Sequence, residues 1–379
     1  MTNSNIPAPT DQSPLEELGL REVINVNGTM TSLGASLGLA EVGQAMQRIL
    51  PHFVEVDALQ RKAGEQIAKS TGAESGYITA SSAAALTLSV AACMAGRSLA
   101  NVEQLPDTTG MRSEVLLQMG HAIHYGAPVE QGLRLSGAKV RLVGSSTLVE
   151  PYQLEAAITE RTACAMYVVS HHVVNYGQIA LPVFIEICRA KCVPVIVDAA
   201  SEYDLRCFIK AGADVVIYSA HKFLSGPTAG IVAGNETIIS SMLLQNKGIG
   251  RGFKVGKESI YGALVALQMW EGRDHAAIRA KEESVLALWQ GALKNRKGIT
   301  AWPEDDPTGN PLRRLRVQVN PELAGTSATA FVKALAAFTP PIIARNHEEE
   351  LGYFYLDPCN LKESQAQVVA DALNQLSKP

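Results

Sequence analysis

The chain has 379 residues, 47% of them hydrophobic and 18% charged, and carries a formal net charge of −4. That length accommodates two domains with a substantial core, and the slight acidity argues against a nucleic-acid partner. The apolar runs stay short of the ~18 residues of a membrane span, and six cysteines without a CxxC pair read as reduced thiols of a cytoplasmic protein with no metal site.

The first dozen residues, MTNSNIPAPTDQ, are polar and contain prolines. They lack the basic start and apolar stretch of a signal peptide and read as a loose tail. Residues 1–45 are expected to combine this tail with a segment that folds back onto the C-terminal part of the chain.

From about residue 75 to 234 two textures alternate. Short apolar, β-branched runs occur at 76–80 (GYITA), 114–119, 138–144, 164–170, 193–198, 214–219 and 230–234 (GIVAG). Helical stretches such as SSAAALTLSVAACMAG and ALPVFIEICRAKC separate most of them. Continuous apolar strands divided by helices predict a mostly parallel seven-stranded sheet with both faces covered. The gap between the last two runs is too short for a helical crossover, so the final strand is expected to run antiparallel to its predecessor. This α/β segment, residues 46–255, is the expected large domain. Residues 256–379 read as a connecting helix followed by a smaller α+β domain, with strands in LRRLRVQVN and GYFYLD and a C-terminal amphipathic helix.

A parallel sheet presents reactive groups at the carboxyl ends of its strands. Asp198 closes one strand, and Lys222 follows the next, inside SAHKFLSGPTAG. Alone, Asp198 reads equally as a turn cap and Lys222 as a surface loop lysine. Together they can face one crevice. A lysine amine with a lowered pKa forms a Schiff base with an aldehyde, and a buried carboxylate stays charged beside a pyridinium. Pyridoxal 5′-phosphate needs both groups. Ser81 and Ser82 open an Ala-rich helix whose first N–H groups can hold a phosphate, although an ordinary serine N-cap would look the same. Ser219 and His221 flank the lysine and can donate to that phosphate. His121 follows another strand, where an imidazole can lie over a cofactor ring, and His124 has nearly equal claim.

This arrangement resembles the lysine region of fold-type I pyridoxal-phosphate enzymes. Within them it is most similar to the selenocysteine synthase-like group, which includes D-glucosaminate-6-phosphate ammonia lyases. INVNGTMTSLG, TGAESGYITASSAAALTLSVAACMAG, RGFKVGKESIYG and PIIARNHEEELGYFYLDP carry the likeness from about residue 20 to 361. The resemblance implies Lys222 as the Schiff-base lysine, Asp198 on the ring nitrogen, His121 near the ring face, and Ser81, Ser82, Ser219 and His221 around the phosphate. It further implies a homodimer or larger homo-oligomer with active sites near the subunit interface. Arg345 matches an arginine that holds a substrate carboxylate, and Arg251, Lys254 and Lys257 stand in a loop that can supply cations to a site. Two departures matter. Only about 20 residues precede the shared region, which speaks against a tRNA substrate, and Cys359 stands where the group commonly has an arginine.

The expected reaction is elimination from a hydroxy-amino acid or amino sugar acid, beginning with removal of the Cα proton and releasing ammonia and a keto acid. Racemisation is the alternative. Cysteine desulfuration through Cys359 and a non-catalytic cofactor-binding role rank below both.

Overall fold

The computed structural model describes residues 13–377, so the tail expected at residues 1–12 lies outside the described residues. In chain order the strands are β1 (Ile24–Val26), β2 (Ser75–Thr79), β3 (Glu114–Gln118), β4 (Lys139–Val143), β5 (Thr162–Val168) and β6 (Val195–Asp198). There follow β7 (Val215–Ser219), β8 (Gly230–Gly234), β9 (Ile299–Asp305), β10 (Arg313–Val319), β11 (Ile342–Ala344) and β12 (Tyr353–Leu356).

Seven of these strands form one sheet in the order β2-β8-β7-β6-β5-β3-β4. Strands β3 to β7 pair in parallel. β8 runs antiparallel to both neighbours, β2 and β7, as the short connection from 220 to 229 requires. Every residue of β6, β7 and β8 is buried. Their sequences therefore run apolar without alternation, as strands covered on both faces do.

Alternate side chains of these strands enter two separate cores. Val195, Val197, Val216 and Tyr218 join one, while Ile196, Val215 and Ile217 join the other. Successive residues of a strand point to opposite faces. Asp198 and Ser219 are in phase with Ile196 and Ile217, so both belong to the second face. The helix Ser82–Ala95 covers that face, with Ala85, Leu88, Ala91 and Ala92 in its core.

The chain divides into two compact units. One comprises residues 34–273 together with the loop 307–310 and contains the seven-stranded sheet. The other comprises 13–33, 274–306 and 311–377. It holds the antiparallel sheet β12-β10-β9 and the parallel pair β1-β11, packed with the helices His275–Ala292, Ala328–Ala336 and Gln365–Leu376 around Trp289, Phe331 and Phe354. The Trp289 indole is buried, and its N–H donates to the Ala366 carbonyl at 2.9 Å.

These divisions fall at 33/34 and 273/274, whereas the sequence expectation drew them at 45/46 and 255/256. The physical reason is packing. The helix Lys257–Glu271 buries Ile260, Ala263, Ala266, Leu267 and Trp270 in the large unit's core, and Val42 of the helix Ala40–Ile49 joins them there. Strand β9 was not foreseen. It is an edge strand, half-exposed, and contains Pro303, which an edge tolerates because no ladder N–H is needed there. No helix among the described residues is long and apolar enough to cross a membrane.

Candidate active site

Residues 220–229 connect β7 to β8 and hold Lys222 in a tightly bonded loop. The Gly226 amide donates to the Ala220 carbonyl at 2.8 Å, and the Ser225 amide to the Lys222 carbonyl at 3.1 Å. Ser225 adopts φ +58°, the left-handed region. Arg273 fastens the loop from outside, donating to the carbonyls of Phe223 at 2.7 Å and Leu224 at 2.5 Å. A Cβ on Gly226 would come within 2.8 Å of Ala266 Cβ, so the turn also needs its glycine.

Lys222 is half-buried, and its amine donates to the Ser201 hydroxyl. Burial lowers the amine's pKa, while the negative charges of Asp198 and Glu202 pull it back up. Part of the residue's surface stays open, but the amine itself is desolvated. A lysine tied into a bonded loop, with a desolvated amine facing a carboxylate, is not a solvated surface lysine.

Asp198 ends β6 and is 8% exposed. It stands in register with Val168 of β5 on one side and Ile217 of β7 on the other. One carboxylate oxygen accepts from the Ala200 amide at 3.2 Å. Burial raises the carboxyl pKa, opposed by the positive Lys222 and by the Ala200 hydrogen bond. A carboxyl in this position gains from any further cation brought to it.

His121 closes the 3-10 turn Met119–His121 after β3 and is buried. Its Nδ1 accepts from the Val168 amide at 3.1 Å, and its ring meets Tyr167 edge-on at 4.5 Å. Burial lowers its pKa to about 4. The imidazole is therefore neutral at pH 7, and the accepting role of Nδ1 leaves its proton on Nε2. His124, by contrast, is exposed and bridges to Pro128.

The start of β8 lies beside the carboxyl ends of β2 and β7. Gly230 pairs with Thr79 of β2 on one side and with Ser219 of β7 on the other. Ser81, two residues beyond Thr79, caps the helix Ser82–Ala95, its hydroxyl accepting from the Ala84 amide at 3.0 Å. That bond meets one of the four N–H groups a helix start leaves without an intrahelical partner. Ala83 in this first turn is exposed, whereas Ala84 to Ala92 are all buried. Ser219 Oγ lies 3.2 Å from His221 Nδ1.

Asp198, Lys222, His121, Ser81, Ser82, Ser219 and His221 thus all lie at or just beyond the carboxyl ends of strands of one sheet. Arg251 and Lys254 are exposed at the 3-10 turn Ile249–Phe253 and its end. Lys257 donates to the His52 carbonyl. Arg345 belongs to the other compact unit, where it is 7% exposed and exchanges backbone hydrogen bonds with Tyr355. Cys359 donates its amide to Asp357 at 2.9 Å, and burial beside Asp357 pushes its thiol pKa well up, which disfavours the thiolate a sulfur acceptor needs. Sequence reasoning overlooked Ser201 and Glu202. Their only signal is position, three and four residues after Asp198 in DAASE.

A family model described as L-seryl-tRNA selenium transferase matches residues 23–296. The D-glucosaminate-6-phosphate ammonia lyase of Salmonella typhimurium is 38% identical, over 96% of this chain and 97% of that protein. A Streptomyces 5′-C-glycyluridine monooxygenase-decarboxylase is 32% identical, over 95% and 91%. The solved structure of a D-glucosaminate-6-phosphate ammonia-lyase superposes with a TM-score of 0.87, covering 97% of this chain and 99% of that one. Two aminotransferases of known structure share the fold at 13% and 14% identity, with TM-scores of 0.57 and 0.59, which speaks to architecture alone.

Proposed function

Because the chain belongs to the L-seryl-tRNA selenium transferase family, a group of fold-type I proteins dependent on pyridoxal 5′-phosphate, we propose that it is a lyase that removes ammonia from an amino sugar acid. The observation that carries this reading is the 38% identity, sustained over nearly the full length of both chains, to an ammonia lyase of that substrate class.

The residues fit the cofactor. Asp198 is a desolvated carboxyl that gains from a cation, which suits a protonated ring nitrogen. Lys222 presents an amine of lowered pKa, which suits an aldehyde. The open first turn of the helix Ser82–Ala95, with Ser81, Ser82, Ser219 and His221, suits a phosphate. His121, neutral and bonded to the strand beside Asp198, suits the ring face.

When bound, pyridoxal phosphate supplies an electron sink for the pair left behind as the substrate's Cα–H bond breaks. Lys222 would hold the aldehyde, and its free amine, desolvated and bonded to Ser201, is placed to take the Cα proton. Asp198 keeps the ring nitrogen's charge in place. The β-hydroxyl then departs as water with the proton Lys222 took, the enamine so formed tautomerises to an imine, and one water added at C2 releases ammonia. The net change turns a 2-amino-3-hydroxy acid into a 3-deoxy-2-keto acid plus ammonia. Arginine's planar fork suits a carboxylate, so Arg345 is assigned to the substrate carboxylate, and Arg251 and Lys254 to further anionic groups. This chemistry belongs in the cytosol and in a homodimer or larger assembly, a reading supported by the six thiols and the apolar composition.

The test is a panel of D- and L-hydroxy-amino acids and amino sugar acids incubated with the cofactor-loaded protein in heavy water. Keto acid and ammonia in equal amounts are expected. Deuterated amino acid of both configurations without ammonia would replace elimination by racemisation. Lys222→Ala is expected to lose both turnover and the borohydride-reducible yellow chromophore.

A further inference from the structure

We propose that Ser201 and Glu202 partner the Lys222 amine during proton transfer, and that Thr308 and Asn310 are the positioning residues that hold their turn. This rests on the reading of Lys222 as the base of the elimination.

Ser201 Oγ accepts directly from the Lys222 amine. Glu202, the next residue, is 6% exposed, and both its carboxylate oxygens accept from Thr308 Oγ1, at 3.1 and 3.0 Å. Asn310 completes the brace. Its Nδ2 donates to the Ser201 carbonyl at 3.3 Å and to Thr308 Oγ1 at 3.0 Å, while its Oδ1 accepts from the Tyr203 amide at 2.8 Å. The loop 307–310, sequence PTGN, therefore grips three successive residues, 201 to 203.

The same frame extends under the lysine loop. The Tyr203 ring meets Trp270 edge-on at 4.5 Å and Phe223 at 5.5 Å. Arg273 stacks over Trp270 at 5.0 Å while bonding the Phe223 and Leu224 carbonyls. The loop that carries Ser201 and the loop that carries Lys222 are thus held against one aromatic cluster. The charged groups that act on the amine are Asp198 at the end of β6 and Glu202 in this turn, while burial and the lysine's charge lower the pKa of His221 on the same loop.

An amine that has taken a proton becomes an ammonium with three donors. Ser201 accepts one of them, and Glu202 supplies the balancing charge, which favours the protonated form. Thr308 and Asn310 act through the turn to which they bond. They fix where the hydroxyl and carboxylate stand.

Four variants of the full-length, cofactor-loaded protein test this: Ser201→Ala, Glu202→Gln, Thr308→Val and Asn310→Ala. The readouts are the acidic limb of kcat against pH, where a base that must be unprotonated loses activity, and, without turnover, the pH midpoint of the yellow absorbance. Ser201→Ala and Glu202→Gln are expected to move both toward lower pH by about half to one unit. Thr308→Val and Asn310→Ala are expected to move them the same way by less, with kcat reduced ~5- to 50-fold and KM within about twofold, as for loss of positioning rather than of binding. Thr308→Ser, which keeps the hydroxyl, is expected to restore both. Midpoints and limbs that coincide with wild type in all four variants overturn the proposal, whatever happens to the melting temperature. A yellow, reducible Lys222→Ala protein would instead overturn the assignment of the base itself.

Discussion

His121 and Val168 are joined by a hydrogen bond of 3.1 Å in which the strand's amide donates to the ring's Nδ1. Val168 is the residue that faces Asp198 across the β5–β6 ladder. The bond therefore does two things. It ties the loop after β3 to the strand that flanks the acidic end of β6, and it fixes the imidazole as a neutral Nε2–H tautomer.

That tautomer predicts a silent titration. With its pKa lowered to about 4 by burial, His121 stays uncharged from pH 5 to 8. The folded value lies below the usual 6.5 of the unfolded chain. The stability this gives is full above 6.5 and is lost as pH falls through about 4. Labelled-histidine NMR is expected to show no His121 shift between pH 5 and 8, and His121→Gln is expected to flatten the acid side of the stability curve. An imidazole titrating near 6.5 would contradict the neutral assignment.

Gly230 is the shared neighbour of Thr79 and Ser219, and no side chain fits on it. A Cβ there would stand 2.4 Å from Thr79 Oγ1 and 2.6 Å from the Ser81 carbonyl oxygen. Gly230→Ala is expected to displace the start of the helix Ser82–Ala95. It should cost about 1–3 kcal/mol of stability, typical of overpacking, and weaken pyridoxal-phosphate binding at least tenfold. Urea denaturation and an absorbance titration of the cofactor measure the two effects. Unchanged cofactor affinity in a destabilised variant would detach Ser81 from the phosphate.

Glu282 is a buried carboxyl in the helix His275–Ala292 whose pKa is pushed up to about 7. Burial is the main cause, and it outweighs the opposing ion pair with Arg279 at 2.8 Å. Because the folded value exceeds the unfolded one near 4.5, the contribution to stability is full below pH 4.5. It is lost as pH rises through about 7. Glu282→Gln, uncharged throughout, is therefore expected to gain up to about 3 kcal/mol relative to wild type between pH 5 and 8. Denaturation midpoints across that range would show the difference grow, and a constant offset would refute it.

Arg314 bridges two nearly buried carboxylates, Asp306 at 2.6 Å and Asp357 at 2.8 Å. Removing the guanidinium takes from both buried carboxylates the cation that bonds them directly. Arg314→Met is expected to cost about 3–5 kcal/mol, read as a lower urea midpoint. Arg314→Lys should recover only part of this, because a point charge cannot reproduce two separately directed bonds. A methionine variant as stable as wild type would show that the carboxylates find water or other donors.

Much of this was readable along the chain. Six strands of the large sheet announce themselves as continuous apolar runs because both of their faces are covered, the exception being the half-exposed edge strand β4, and the antiparallel β8 follows from a connection too short to cross over. Asp198 and Lys222 were recognisable because each ends or follows such a run. β9 and the short pair β1–β11 were not, since an edge strand containing Pro303 and two three-residue strands carry almost no periodic signal. Ser201, Glu202, Thr308 and Asn310 were illegible for a different reason. They lie about a hundred residues apart, and a polar turn gives no sign of which partner it will meet.

The amino-acid sequence by itself determined the sheet, the buried Ala-rich helix and the lysine–aspartate pair, because local hydrophobic pattern and chain connectivity dictate them. The tertiary structure alone decided which histidine is buried against the β5 strand, and where the large unit ends. It also decided which side chains surround the amine. Those outcomes depend on packing between distant segments, where burial shifts a pKa and a hydrogen bond selects a partner, and neither is written in the residues taken one stretch at a time.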